Sequence, residues 1–299
     1  MWTTEESVDQ GVIGVYYSLQ RPFHGDKFIG ANAMIGYYGY DALGMAGQGE
    51  YGMQNLFTKS VNPSNGFFLK TWQWMYDGVH RANAAIAGIQ NAPINDAKKA
   101  RLVAECKVLR AFFYDRLNIL FGNGGLGVPL YTEPVNPSEC NKGQSTEQEV
   151  WAQVIQDLSD AIAEPNLPDN QIQGEGRVSK GAAYALRGKA YLLTKEYDKA
   201  IEFYKKAIAA DPEYAEAYSN VGLVYLMKAQ DYADKATTDI NDPKYAEAQA
   251  TVKKFYEEAK PFYEKARALK PDQKDLWLQG LYRVYYNLNM GPEFEEIDK

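Results

Sequence analysis

Between Asp96 and Phe121 the apolar residues Leu102, Cys106, Leu109, Phe113, Leu117 and Leu120 recur at spacings of 4, 3, 4, 4 and 3. That rhythm draws one continuous apolar stripe and predicts a helix over the whole stretch. Gly122 follows as a natural residue to end it. Val8, Val12, Val15 and Leu19 predict a first helix reaching about Gln20, opened by a capping box with Thr3 at the N-cap and Glu6 at N3. Phe68, Trp72, Met75, Val79 and Ala82 or Asn83 share one face of a helix over about 65–90. Val150, Val154, Leu158 and Ala161 follow a second capping box, Thr146-x-x-Glu149. Between the first two helices the period vanishes. Residues 21–64 carry many glycines and clustered aromatics and predict a long irregular region, of the kind that is functional or mobile inside a domain. The Gly-, Pro- and Asn-containing stretches 123–144 and 165–178 predict loops.

From Ser179 the pattern changes character. Counting from Gly188, Tyr191 lies 3 residues on, Ala200 12, Tyr204 16, Ala207 19 and Pro212 24. Small residues at Gly188, Ala200 and Ala207 let two antiparallel helices approach closely, tyrosines fill the space around them, and the proline ends the unit. These offsets resemble a tetratricopeptide repeat (TPR). Gly222 and Tyr225 repeat Gly188 and Tyr191 after 34 residues, but Ala259, Tyr263, Ala266 and Pro271 each arrive 25 residues late. That delay is close to seven helical turns at about 3.6 residues per turn. The spacing therefore predicts a hairpin at about 214–270 whose two helices are both lengthened and meet near residues 239–243. Pro261 should kink the second helix or start a new one. Trp277 opens a third unit in which Gly280 comes one residue early, and a short last helix from Pro292 to Lys299 reads as a truncated terminal repeat.

Composition narrows the function. A net charge of −7 and a pI near 5.1 exclude a nucleic-acid partner, which requires a basic surface. No apolar run is long enough to span a membrane, and the opening MWTTEESVDQ lacks the basic and apolar regions of a signal peptide. Cys106 falls on an apolar helix face and Cys140 in a loop, without CxxC or His spacing for a metal. A buried thiol and an incidental loop thiol fit the pattern; a disulfide between them is not readable from spacing.

Nothing points to catalysis. His24 and His80 are the two histidines, no GxSxG is present, and Gly122 to Gly127 lack the order of a phosphate-binding loop. His80, Arg81 and Asn83 on one helix predict a buried polar network that ties it to a loop. The expectation is a non-catalytic protein without cofactor or metal.

Four segments carry a second resemblance. They are WTTEESVDQGVIGVYYSL at the start, W-x3-YDGVHRANAAI from Trp72, and LRAFFYDRLNILFG with GVPL from Leu109 to Leu130. The fourth is GRVSKGAAYALRGKAYLLTKEYDKAI from Gly176 to Ile201. Together, and in this order, they resemble the SusD/RagB family over about residues 3–200. From about residue 203 the chain instead resembles a soluble TPR protein. The family resemblance implies surface lipoproteins that bind glycans over a TonB-dependent outer-membrane transporter, on a scaffold of TPR-like helix pairs. The lipid-anchoring Cys and the C-terminal half expected of such proteins are absent from this sequence.

The fold expected is all-α: a SusD-like helical region with long irregular loops (1–178), continuous with TPR-like hairpins (179–299). Tyr37, Tyr38, Tyr40 and Asp41 form the candidate sugar platform, with rings to stack on hexoses and a carboxylate for their hydroxyls; packing of the loop onto helices is the alternative. Trp74 lies two residues from Trp72, so the pair points in different directions and at least one is core. In the C-terminal array Tyr218 and Asn220 lie near the concave face, where a peptide or protein partner would bind. The partners expected are an oligosaccharide and the transporter, with peptide as the alternative.

Overall fold

The computed structural model describes residues 2–19 and 66–297. The described residues are helical, joined by turns and loops, with one isolated antiparallel bridge, Leu126 to Thr146, and no strand. The chain divides into two compact units, residues 1–167 and 168–299.

The first unit contains α1 (Glu5–Tyr17), α2 (Gly66–Gln90), α3 (Asp96–Phe121) and α4 (Glu147–Ala163). In α1 the capping box sits one residue later than the sequence predicts. Thr4, not Thr3, is the N-cap, its hydroxyl accepting from Ser7 N–H at 3.1 Å while Ser7 Oγ accepts from Thr4 N–H at 3.0 Å. Starting there buries Val8, Val12 and Val15, and the helix ends at Tyr17, leaving Leu19 exposed. Glu5 and Asp9 both accept from Lys98 at the start of α3, which holds the two helices together.

The stripe of α3, with Cys106 inside it, is buried from Leu102 to Leu117. α2 crosses α3 where Gly78 meets the Phe113 ring, so closely that a Cβ at Gly78 would lie 2.5 Å from it. Gly122 ends α3, but with extended backbone (φ −72°, ψ 159°) rather than the left-handed turn its identity suggests. Glycine is needed there for space, since a Cβ would fall 2.5 Å from the Asn118 carbonyl oxygen. α4 opens with the predicted box: Glu149 N–H donates to Thr146 Oγ1, and Glu149 Oε2 accepts from Thr146 N–H at 2.7 Å. The Thr146 amide, then its hydroxyl, holds the Glu149 carboxyl below the usual carboxylate range.

The second unit stacks hairpins. α5 (Lys180–Leu193), capped by Ser179, pairs with α6 (Tyr197–Ala210) through a turn that places Lys195 in the left-handed region at φ 61°. Gly188 receives the Tyr204 ring, which would stand 3.0 Å from an added Cβ. The next pair, α7 (Ala215–Ala233) and α8 (Pro243–Leu269), has 19 and 27 residues against 14 and 14. Its seam repeats the device: Tyr263 of α8 lies against Gly222 of α7 and, on its other side, against Gly280. α8 runs through Pro261 without ending or restarting. A 3-10 turn (Lys274–Leu276) leads to buried Trp277, then α9 (Leu278–Asn287) and the short α10 (Gly291–Glu296). Gly280 comes early along the repeat because it serves Tyr263 rather than an aromatic of its own unit.

Candidate functional site

A cleft of about 820 Å³ lies in the first unit between α2 and the irregular segment that follows α3. On α2, Trp72, Tyr76, Val79 and Asn83 fall at steps of 4, 3 and 4, so they line one face, with Asp77 and His80 beside them. The opposite wall is built from Pro129, Tyr131, Glu133, Val135, Cys140 and Lys142.

Aromatic rings dominate the lining. Trp72 and Tyr76 are 4.8 Å apart at 46°, and Tyr76 meets Tyr131 edge-on at 6.2 Å. Phe121 supports Trp72 from behind at 5.1 Å. The polar groups are fixed. Tyr76 OH donates to Pro129 O at 2.7 Å; burial, then the neighbouring phenols of Tyr114 and Tyr131, push its pKa up, so it remains a neutral donor. Lys142 Nζ donates to Leu130 O and stands 5.3 Å over the Tyr131 ring. Asp77 accepts from Arg81 Nε at 2.9 Å, while Arg81 Nη1 donates to Gly14 O of α1. A cleft lined in part by half-buried aromatic rings, with hydrogen-bonding groups beside them, suits a ligand that is apolar on its faces and hydroxylated at its edges.

Beneath the cleft lies a buried network. Arg110 of α3 grips Asp157 of α4 with two bonds of 2.8 and 2.6 Å. It also donates to Asn83 Oδ1 at 2.7 Å and Thr132 O at 2.8 Å. Asn83 Nδ2 then donates to Tyr131 O and Glu133 O. This is the tie between helix and loop that Asn83 suggested in the sequence. Arg81 ties α2 to α1 instead, and His80 is exposed at the cleft.

The sequence candidates fall in several places. Tyr37, Tyr38, Tyr40 and Asp41 lie outside the described residues. Trp74 is half-buried and turned away from the cleft, whereas Trp72 lines it. Tyr218, on α7, is half-buried and packs on the core cluster around Tyr263 and Trp277; Asn220 is also half-buried. Tyr76 and Tyr131, which build the cleft, were not singled out by sequence. The four-residue step from Trp72 to Tyr76 was the available signal for the first, and nothing marked the second. The glycine-rich loop is internally satisfied: Gly124 N–H donates to Glu147 Oε1, and Gly125 and Leu126 N–H to Asn123 Oδ1. Cys140 is exposed and free, so no disulfide joins it to Cys106. Among the described residues no group of acidic, His or Cys side chains is placed to hold a metal.

The fold and cleft define an all-α protein of paired helices with a cleft lined in part by aromatic rings. Comparison with known proteins gives the family. Residues 31–192, more than half of the chain, match the SusD-like model described as starch-binding and associating with the outer membrane, and residues 188–228 match a TPR repeat model. The chain belongs to the SusD-like family, whose members bind carbohydrate rather than transform it. Among solved structures it is similar to a laminarin-binding SusD-like protein (28% identity, TM-score 0.57), covering 69% of this chain and 44% of that one. It is also similar to a SusD superfamily protein from Bacteroides thetaiotaomicron (24% identity, TM-score 0.59), covering 73% and 50%. Among curated proteins, 62 residues are 49% identical to BBSome complex member BBS4 of Mus musculus, 20% of this chain and 12% of that protein. The chain thus spans half or less of each relative's length. The family is outer-membrane associated, and no described helix is long and apolar enough to cross a membrane.

Proposed function

We propose that the chain captures oligosaccharide for nutrient uptake, as the surface-exposed accessory of a TonB-dependent outer-membrane transporter. The observation that carries this reading is the cleft of Trp72, Tyr76 and Tyr131, which falls inside the stretch matched by the family model. The similarity to a laminarin-binding protein supports a glucan as ligand. Sugar rings would lie on the aromatic faces, with Asp77, His80 and Lys142 at hydrogen-bonding positions around them. Tyr37, Tyr38, Tyr40 and Asp41, which lie outside the described residues, and Trp74 would contribute further rings and a carboxylate for the sugar.

Titration calorimetry with laminarihexaose and maltohexaose tests the reading. Tyr38→Ala and Trp72→Ala should each weaken sugar binding about tenfold, which is about 1.4 kcal/mol. Tyr38→Ala should do so at unchanged thermal stability; equal loss of both properties would make Tyr38 a packing residue. Absence of binding to either sugar by the folded wild type sinks the glycan assignment.

A second reading is a protein–protein interaction scaffold in which Tyr218 and Asn220 line a peptide groove. The TPR match and the stretch shared with BBS4 favour it, as does the partial exposure of Leu223 and Met227 on α7. Peptide capture abolished by Tyr218→Ala, with sugar binding intact, would assign that groove separately from the cleft.

A further inference from the structure

We infer that Tyr114, Asn83 and Arg110 are positioning residues of the glycan cleft, holding Tyr131 in its wall through the Tyr131 backbone; this rests on the glycan reading above. Tyr131 sits in the irregular segment between α3 and α4, where no helix fixes it, yet four hydrogen bonds do. Its carbonyl accepts from Tyr114 OH at 2.9 Å and from Asn83 Nδ2 at 2.8 Å. Its N–H donates to Tyr114 Oη at 2.7 Å, and its own hydroxyl accepts from Lys142 N–H at 3.1 Å. The Tyr114 hydroxyl therefore donates and accepts at a single residue, clamping it from both sides.

Arg110 completes the clamp. By donating to Asn83 Oδ1 it leaves the amide nitrogen facing the wall, so both amide hydrogens reach carbonyls, at Tyr131 and Glu133. Pro129, Tyr131, Thr132 and Glu133 thus all have carbonyls bound by side chains of α2 or α3. Burying that many polar groups under one short loop is costly unless all are satisfied. An apolar contact would keep the loop attached; the network additionally fixes where the Tyr131 ring stands relative to Tyr76 and Trp72. A binding surface built from rings depends on such placement within a fraction of an ångström.

Tyr114→Phe is the direct test, since it deletes one donor and one acceptor while retaining the packed ring. Amide exchange should quicken in residues 129–135 and stay unchanged along α3, and the laminarihexaose or maltohexaose Kd should rise about tenfold. Asn83→Asp is the second variant. It keeps the acceptor for Arg110 but turns a carboxylate toward two carbonyls, so amide exchange should quicken in residues 129–135 and sugar affinity should fall about tenfold. If the wild type binds sugar and both variants bind it equally well, the positioning role is wrong while the glycan site stands. If the folded wild type binds neither sugar, the glycan reading fails and takes this one with it.

Discussion

The two units solve the same packing problem with the same device and then differ in what they bury. In each, a glycine on one helix receives an aromatic ring from its partner: Phe113 against Gly78, Tyr204 against Gly188, Tyr263 against Gly222. Yet of the nine buried polar or charged side chains among the described residues, eight lie in the first unit; the exception, Ser179, caps a helix. The second unit is helices and short turns, whose backbone groups satisfy one another, so its core is alanine, aliphatic and aromatic. The first unit must also hold the irregular segment 122–146, whose carbonyls have no helical partners. Asn83, Arg110 and Tyr114 supply donors for them. Asn83, Arg110 and Asp157 therefore mark where a loop has been fastened to a helical frame, and the cleft lies along that fastening.

The contrast is easiest to break at the Arg110–Asp157 pair. Asp157→Ala leaves Arg110, with a side chain 6% exposed, without its carboxylate and should cost about 3–5 kcal/mol. Amide exchange should show the loss confined to the first unit, while an Arg110→Met, Asp157→Leu double variant should regain much of the stability and none of the loop order. A loss shared equally by α5 to α9 would show that the two units do not differ in this way.

Overpacking comes next. Gly280→Ala would place a Cβ 2.2 Å from the Tyr263 ring, already held on its other side by Gly222, and should cost about 1–3 kcal/mol. Gly188→Ala, at 3.0 Å from Tyr204, should cost less, and Gly291→Ala, with nothing within 4 Å, close to nothing. Thermal midpoints of the three variants give the order; a reversed order would mean that the seam is not set by these contacts.

The smallest effect is alkaline. Burial, then the hydrogen bond to Asp231 and its charge, push the Tyr197 phenol from 10.0 up to about 12. An acid whose folded pKa is raised stabilises the fold fully below the unfolded value and loses that contribution as pH rises from about 10 to about 12. Tyr197→Phe should remove its share of that slope in denaturant titrations. An unchanged slope would show that the phenol titrates alike in both states.

Much of the frame was legible because it is local. The stripe from Leu102 to Leu117, the Thr146–Glu149 box and the offsets from Gly188 to Ala207 each state their element within a few turns of chain. Where reading slipped, a neighbour decided the matter. Thr4 displaced Thr3 because Ser7 returned the second bond, and Gly122 proved necessary for the approach of the Asn118 carbonyl rather than for its backbone angle. Arg110 was visible as a charge between Leu109 and Ala111, but its partner was not, for Asp157 lies 47 residues away in sequence.

What the sequence determined by itself is therefore the set of helices and the registers in which pairs of them meet, because periodicity and glycine–aromatic offsets act over one or two helices. The cleft was decided only by tertiary structure. One wall, 129–142, has no period to read, and the bonds that set it come from side chains 17 and 48 residues distant, Tyr114 and Asn83 reaching the same carbonyl. A hydrogen bond between such separated groups leaves no spacing in the chain; it exists once the frame has brought them within 3 Å.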